Sequence, residues 1–436
     1  CNMLKLTEQY TQGVFYMAEK LRGACIIGQS GGPSAVINSS IYGAIKTAME
    51  REEITRVLGA SHGIVGVISG ELFDLDLEDP EELALLPNTP ASALGSCRYK
   101  IADPDKDETD CKRILDIFKR YNVRYFFYNG GNDSMDTCEK ISRYLDKVGY
   151  ECRVIGIPKT IDNDLYGTDH CPGFGSAAKY IATSLMEISK DTAVYDTGAI
   201  TIVEIMGRNA GWLTASSALA RDKCSGCGPD LIYPPEVVFD FEKFLDDVHR
   251  LYLEKKNVLV AVSEGVRDKT GKLISQYSSA NMGQVDAFGH VQLGGLAAIL
   301  ASFVKARTGA KVRGIELSLL QRCAAHCASQ TDIDEAFMAG KAAVEEAIRG
   351  ANGVMVGFER EYINGKYTCK TKLVPLKDVA NYENKLPIEW ITTEGNDVTQ
   401  DFIDYALPLI QGEPTRKLVN SLPRFARLKK IPAKES

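Results

Sequence analysis

From residue 24 onward, short β-branched runs that end in glycine-rich or polar turns alternate with amphipathic stretches, and this alternation constrains the chain more than any other feature. It builds a mostly parallel sheet covered by helices, because parallel neighbours need a long crossover and the helix supplies it. Strands are predicted at 24–28, 56–60, 124–128, 153–157, 199–205, 258–263, 312–317 and 354–358. Helices are predicted at 35–51, 110–121, 134–148, 176–190, 241–255, 294–308 and 332–349. In the second of these helices Ile114, Ile117 and Phe118 share one apolar stripe, and Lys112, Arg113, Asp116 and Lys119 face water. In open α/β sheets ligands bind beyond the carboxyl ends of the strands, so the turns after the strands are where chemistry is to be sought.

With 436 residues the chain is long enough for two or three folding units. A net charge of −7 excludes a nucleic-acid-coating protein, and any phosphate binding has to be local. No apolar run reaches the roughly 18 residues that cross a bilayer, and the opening residues lack the apolar centre of a signal peptide. A cytoplasmic protein without membrane partners is expected, with 1–23 as a helical N-terminal extension. The twelve cysteines are scattered and read as reduced thiols. Cys224 with Cys227, and Cys323 with His326 and Cys327, lack the strand-and-turn context of a zinc knuckle. The basic end 428–436 reads as a solvated tail.

Five strand-end turns carry unusual residues. GQSGGPS (28–34) runs straight into a helix and has the form of a phosphate cradle, with free backbone amides converging at Gly31 and Gly32. It lacks the lysine of a P-loop and the spacing of a dinucleotide fingerprint. GGNDS (130–134) sets Asn132, Asp133 and Ser134 at a helix start, where a carboxylate could equally serve as a cap. PKTIDND (158–164) packs Lys159, Thr160, Ile161, Asp162 and Asp164 into one turn, a combination suited to a general base beside a cation that balances transferred charge. MGRNAG (206–211) presents Met206, Gly207 and the fork of Arg208, and Glu264 stands at a further strand end as an acceptor for hydroxyl groups.

In this order, over roughly residues 24–360, these loops resemble the phosphofructokinases. The resemblance implies two three-layer α/β/α domains with mostly parallel sheets and an active site in the cleft between them. It implies a donor domain of 24–168 with 322–350, an acceptor domain of 169–321 with 351–400, and a C-terminal extension of 401–436. It assigns Gly31, Gly32, Asp133, Ser134 and Lys159 to the donor, Asp162 to the role of base, and Asn132 to Mg²⁺. Lys159, Arg208 and Asp133 join the base in the catalytic set. Thr160, Ile161, Asp164, Met206, Gly207, Arg208 and Glu264 would line the fructose 6-phosphate site.

The stretch 288–295 is similar to the histidine-containing loop of the ATP-using enzymes, but Arg313 and Arg322 keep the family's spacing between two phosphate-binding arginines. Leu319, Leu320, Gln321 and Arg322 are therefore matched to the sugar-phosphate loop, and 288–295 to a helix start. Asp133 and Lys159 stand where ATP-using relatives have glycine, which is similar to the pyrophosphate-dependent branch. That branch implies reversible transfer from Mg-pyrophosphate in a homodimer or homotetramer, with Arg313 supplied in trans. Asn132 in place of an aspartate, and a missing arginine at the start of the 199–205 strand, keep two alternatives open. One is an ATP-dependent enzyme, and the other a catalytically silent, phosphofructokinase-like subunit.

Overall fold

The computed structural model describes residues 21–194, 196–221, 226–277, 295–380 and 382–435. Residues 1–20 of the expected helical extension, the 288–294 stretch and Cys224 lie outside them, and Gly23 already begins the first strand. Among the described residues eleven strands form the two main sheets: β1 (Gly23–Gln29), β2 (Ile54–Ala60), β3 (Leu72–Asp74), β4 (Val123–Gly130), β5 (Arg153–Pro158), β6 (Ala199–Ile205), β7 (Leu231–Tyr233), β8 (Asn257–Ser263), β9 (Val312–Glu316), β10 (Val354–Ile363) and β11 (Lys366–Pro375). Beside them is a short antiparallel ribbon of Leu418–Val419 with Leu422–Pro423.

The larger sheet has the order β11-β10-β5-β4-β1-β2-β3. From β10 to β2 it is parallel, with antiparallel strands only at its two edges. All seven residues of β1 are buried because helices cover both faces of the sheet at its centre. One face packs Ile26, Phe126 and Val154 under the helices Thr109–Arg120 and Asn132–Lys147. The other packs Ile27, Tyr125 and Ile155 against the helices Ile37–Met49 and Gln330–Ile348. The smaller sheet, β7-β8-β6-β9, is wholly parallel and has its own apolar layer on each face. The two α/β/α units of the expectation are therefore present.

All eight predicted strands and all seven predicted helices exist, with ends displaced by a few residues. Three strands of these sheets lie outside the predicted set: β3 and β7, whose three residues are too short to show a period, and the ten-residue β11. The hairpin β10–β11 corrects a larger expectation. Residues 354–375 had been placed with the acceptor domain, yet β10 pairs with β5 and extends the first sheet. Its signal was Asn364-Gly365, both at positive φ, the requirement of a tight two-residue turn between strands.

The basic tail keeps most of its side chains exposed, but it is not free. Its backbone pairs with the edge strand β3, the Asp74 N–H donating to the Ile431 carbonyl and the Ala433 N–H to that of Leu72, both at 2.8 Å. The buried Glu78 carboxylate accepts the Lys429 and Lys430 N–H groups at 2.7 and 2.6 Å. An exposed edge is thus covered by the chain's own end. No helix among the described residues is long and apolar enough to cross a membrane.

Candidate active site

The strand ends of both sheets open on one cleft of about 620 Å³. The larger sheet contributes the turns after β1, β4 and β5. The smaller contributes those after β6 and β8, and Leu319 and Arg322 follow β9.

At the donor end the glycine turn departs from expectation. Its Gly31 N–H donates to the Cys97 carbonyl at 3.2 Å, and the Ser30 N–H to that of Asn129 at 2.8 Å. These two amides are already satisfied, so Gly31 offers no free N–H to an anion. What the glycines allow is the approach of cations. Gly31 has φ 75°, and a Cβ on it would stand 3.4 Å from the Lys159 Nζ; one on Gly32 would stand 3.1 Å from an Arg322 guanidinium nitrogen. Lys159 donates to the Gly32 carbonyl at 2.5 Å. The amides fit for an anion belong to the first turn of Asn132–Lys147, whose N-terminus opens at the cleft. Ser134 lies in that turn, and the Asp133 carboxylate is paired with Lys100 at 2.8 Å.

Asp162 lies between the two ends of the cleft. Its backbone N–H rests on the Thr160 hydroxyl at 3.1 Å. Burial, with Asp164 and Glu264 nearby, pushes its carboxyl up to about 7, while Lys159 and Arg322 hold it back. Lys159 moves the opposite way: burial lowers it to about 8, against the pull of Asp162 and Asp164. An acceptor and a donor of protons thus straddle neutrality side by side, the pattern expected where acid–base chemistry runs at pH 7. Burial also raises Asp164, which feels Glu383.

At the acceptor end Gly207, at φ 124°, donates its N–H to Glu264 at 3.3 Å, and Met206 donates to Gln321 at 3.0 Å. Arg208 lines the cleft beside Glu264 and weakens the effect of burial on that carboxyl. Ile161 and Leu319 complete the wall. Gln321 is buried and acts through Met206, whereas Leu320 is exposed and is not part of the lining. Arg313 is absent from this chain's cleft; it is exposed on the edge strand β9 and pairs with Asp191 at 2.6 Å. Arg322, expected at the sugar-phosphate end, reaches the Gly32 turn and Asp162 instead.

Sequence reasoning missed Arg98, Tyr99, Asn209 and Glu383, all of which line the cleft. Asn209 stood in the MGRNAG turn already singled out, and Arg98 and Tyr99 had only the basic residues of the GSCRYK segment (95–100) as a hint, with no strand before them. Glu383 had none, and it accepts the Asn209 amide at 2.9 Å.

For a divalent cation, the Asn132 Oδ1 lines this region, is buried and has no hydrogen-bond partner among the described residues. A neutral oxygen beside bound phosphates fits Mg²⁺, which takes few protein ligands and keeps phosphate and water oxygens. A separate group capable of holding a metal consists of His170, Glu335 and Cys369, with ligand atoms within 4.8 Å of one another. Its nitrogen and sulfur suit softer ions than Mg²⁺. Burial opposes charge on His170, but Glu335 and Asp169 outweigh it and raise the imidazole to about 9.

Residues 24–315 match the family model described as Phosphofructokinase. The chain is 41% identical over 405 residues to the pyrophosphate–fructose 6-phosphate 1-phosphotransferase of Halomonas elongata, with 92% of this chain and 95% of that one covered. It is 42% identical over 416 residues to the protein of the same name from Xanthomonas campestris pv. campestris, covering 94% and 97%. The solved pyrophosphate-dependent phosphofructokinase of Nitrosospira multiformis matches with a TM-score of 0.86 at 38% identity, over 95% of this chain and 98% of that one.

Proposed function

Because this chain belongs to the phosphofructokinase family, and within it to the pyrophosphate-dependent branch, we propose that its cleft transfers the terminal phosphoryl group of pyrophosphate to the 1-hydroxyl of fructose 6-phosphate. The products are fructose 1,6-bisphosphate and phosphate. The observation that carries the mechanism is that buried Asp162 and Lys159 line the same cleft close enough to feel each other's charge, with Lys159 bonded to the glycine turn. Asp162 takes the proton of the 1-hydroxyl as that oxygen attacks phosphorus. The transition state is loose and highly charged, so positioning and charge do most of the work. Lys159, Arg322 and Arg98 supply positive charge at the donor, and the helix N-terminus at Asn132 holds its far phosphate. Arg208, Glu264 and Asp164 orient the sugar. The Asn132 oxygen would hold Mg²⁺, which when bound would supply neutralisation of the donor's charge. Assay of the purified protein with fructose 6-phosphate and either pyrophosphate or ATP tests the assignment; a tenfold preference for ATP would overturn it.

Donor choice is assigned to Asp133 and Lys159. Because Lys100 neutralises the Asp133 carboxylate, the obstacle to a nucleotide α-phosphate is chiefly the bulk of an ion pair rather than a bare charge. Asp133→Gly is expected to raise the ratio of ATP to pyrophosphate turnover several-fold, even with low absolute ATP turnover. An unmoved ratio would remove Asp133 from this role.

We also infer a closed homo-oligomer in which Arg313 of one subunit completes a neighbour's acceptor site; its exposed place on an edge strand supports this. Arg313→Ala and Asp162→Asn subunits, each nearly inactive alone, should recover about a quarter of wild-type activity when co-refolded as a one-to-one dimer mixture, since half the molecules then hold one intact site. No recovery would place Arg313 outside the partner's site.

A further inference from the structure

Asp162 is held in place through its neighbour. Asn163 adopts φ 57° and is wholly buried. Its Oδ1 accepts the Cys171 N–H at 2.8 Å, and its Nδ2 donates to the Tyr405 hydroxyl at 2.7 Å. That hydroxyl in turn donates to the Asp169 carbonyl at 2.8 Å. Tyr405 comes from the helix Gln400–Ala406, 242 residues further along the chain than Asn163.

The far side of this contact is rigid. The Tyr405 ring lies 4.5 Å beneath the Arg360 guanidinium, which also donates to the Tyr405 carbonyl and pairs with the Asp169 carboxylate. Asp169 receives one nitrogen of buried His170, whose other nitrogen meets Glu335, both at 2.7 Å. Trp212, at the start of the helix after the Met206–Arg208 turn, packs against the same ring at 5.2 Å between centroids. A buried ion-pair network thus backs the Tyr405 hydroxyl, and that hydroxyl grips the side chain between the two aspartates of the base turn.

We propose that Tyr405 is a positioning residue for phosphoryl transfer: through Asn163 its hydroxyl sets the direction in which the Asp162 carboxylate faces the acceptor. The C-terminal helix thereby takes part in the chemistry without touching substrate. The proposal rests on Asp162 being the base. A displacement of about 1 Å at a reacting group costs on the order of a hundredfold in rate, so the tether should act on kcat.

The test is Tyr405→Phe in the full-length enzyme, assayed with pyrophosphate and fructose 6-phosphate beside wild type. The kcat should fall roughly ten- to a hundred-fold, with both KM values within about twofold. Both tryptophans of the chain pack against Tyr405, Trp212 at 5.2 Å and Trp390 at 5.3 Å, so intrinsic emission reports the state of this cluster. It should be unchanged. Phe402→Leu, on the same helix, loosens the packing around the Tyr405 ring, 6.4 Å away between centroids, but removes neither hydrogen bond of the tether and should keep kcat within about twofold of wild type. Asn163→Gly tolerates the left-handed backbone and cuts the tether from its other end, which keeps the test available if Tyr405→Phe folds poorly. The double variant should be no worse than the more damaged single one.

Four results overturn the proposal: kcat preserved in Tyr405→Phe, a loss confined to KM, equal losses in Phe402→Leu, or additive losses in the double variant. An inactive wild type would overturn the functional reading, and this proposal with it; an active wild type with unaffected variants overturns this proposal alone.

Discussion

Replacing Asp162 by asparagine is expected to lower turnover by about 10² to 10⁴, with the KM for each substrate changed only a few-fold. Asparagine keeps the shape and the Thr160-supported backbone of the turn but cannot take up the proton of the attacking hydroxyl. The wild-type carboxyl is pushed up to about 7 by burial and by Asp164 and Glu264. A base works only when deprotonated, so wild-type kcat/KM should rise with pH through that region. The residual activity of Asp162→Asn should lack this acid limb. A variant that keeps more than half of wild-type turnover, or that keeps the limb, would assign the proton to another group.

Lys159→Met should cost about 10² to 10³ in kcat/KM for pyrophosphate, the scale on which a preorganised charge donor contributes in a water-poor site. The ammonium lies in the strand-end turn after β5 and reaches the Gly32 carbonyl of the turn after β1, where the methionine side chain supplies neither charge nor donor. Burial lowers it to about 8, and it stabilises donor charge only while protonated. Wild-type activity should therefore fall as pH rises through that value, which with the Asp162 limb gives a narrow bell. Lys159→Met should lose the alkaline limb and keep the acid one. If the alkaline limb survives the substitution, Lys159 is not the group that titrates there.

How far the site could be read ahead of the fold differs from loop to loop. The turns holding Lys159, Thr160, Asp162, Asp164, Met206, Arg208 and Glu264 were legible because each follows a β-branched run, and a parallel sheet brings such ends to one edge. The helices were legible because apolar residues at three- and four-residue spacing mark a buried stripe. The glycine turn misled for a tertiary reason. Nothing local says that the Cys97 carbonyl will cross over and take the Gly31 N–H, or that Lys159 and Arg322 will bring charge to where bare amides were expected.

Arg98, Glu383 and Tyr405 were illegible for the same cause. Glu383 meets the cleft because the segment after β11 returns along Leu165, and Tyr405 meets Asn163 because its helix packs among Phe174, Trp212 and Trp390. The hairpin at Asn364-Gly365 had a local signal, but its sheet did not; only the free edge of β5 decided that β10 would dock there. The order of strands and helices, and the chemistry of the strand-end turns, were thus determined by the sequence, because steric preference and apolar period act over a few neighbouring residues. The partners of those turns were decided by the tertiary structure alone, because a buried polar group takes whatever complementary group the packing of distant segments delivers, and the sequence between them carries no record of that meeting.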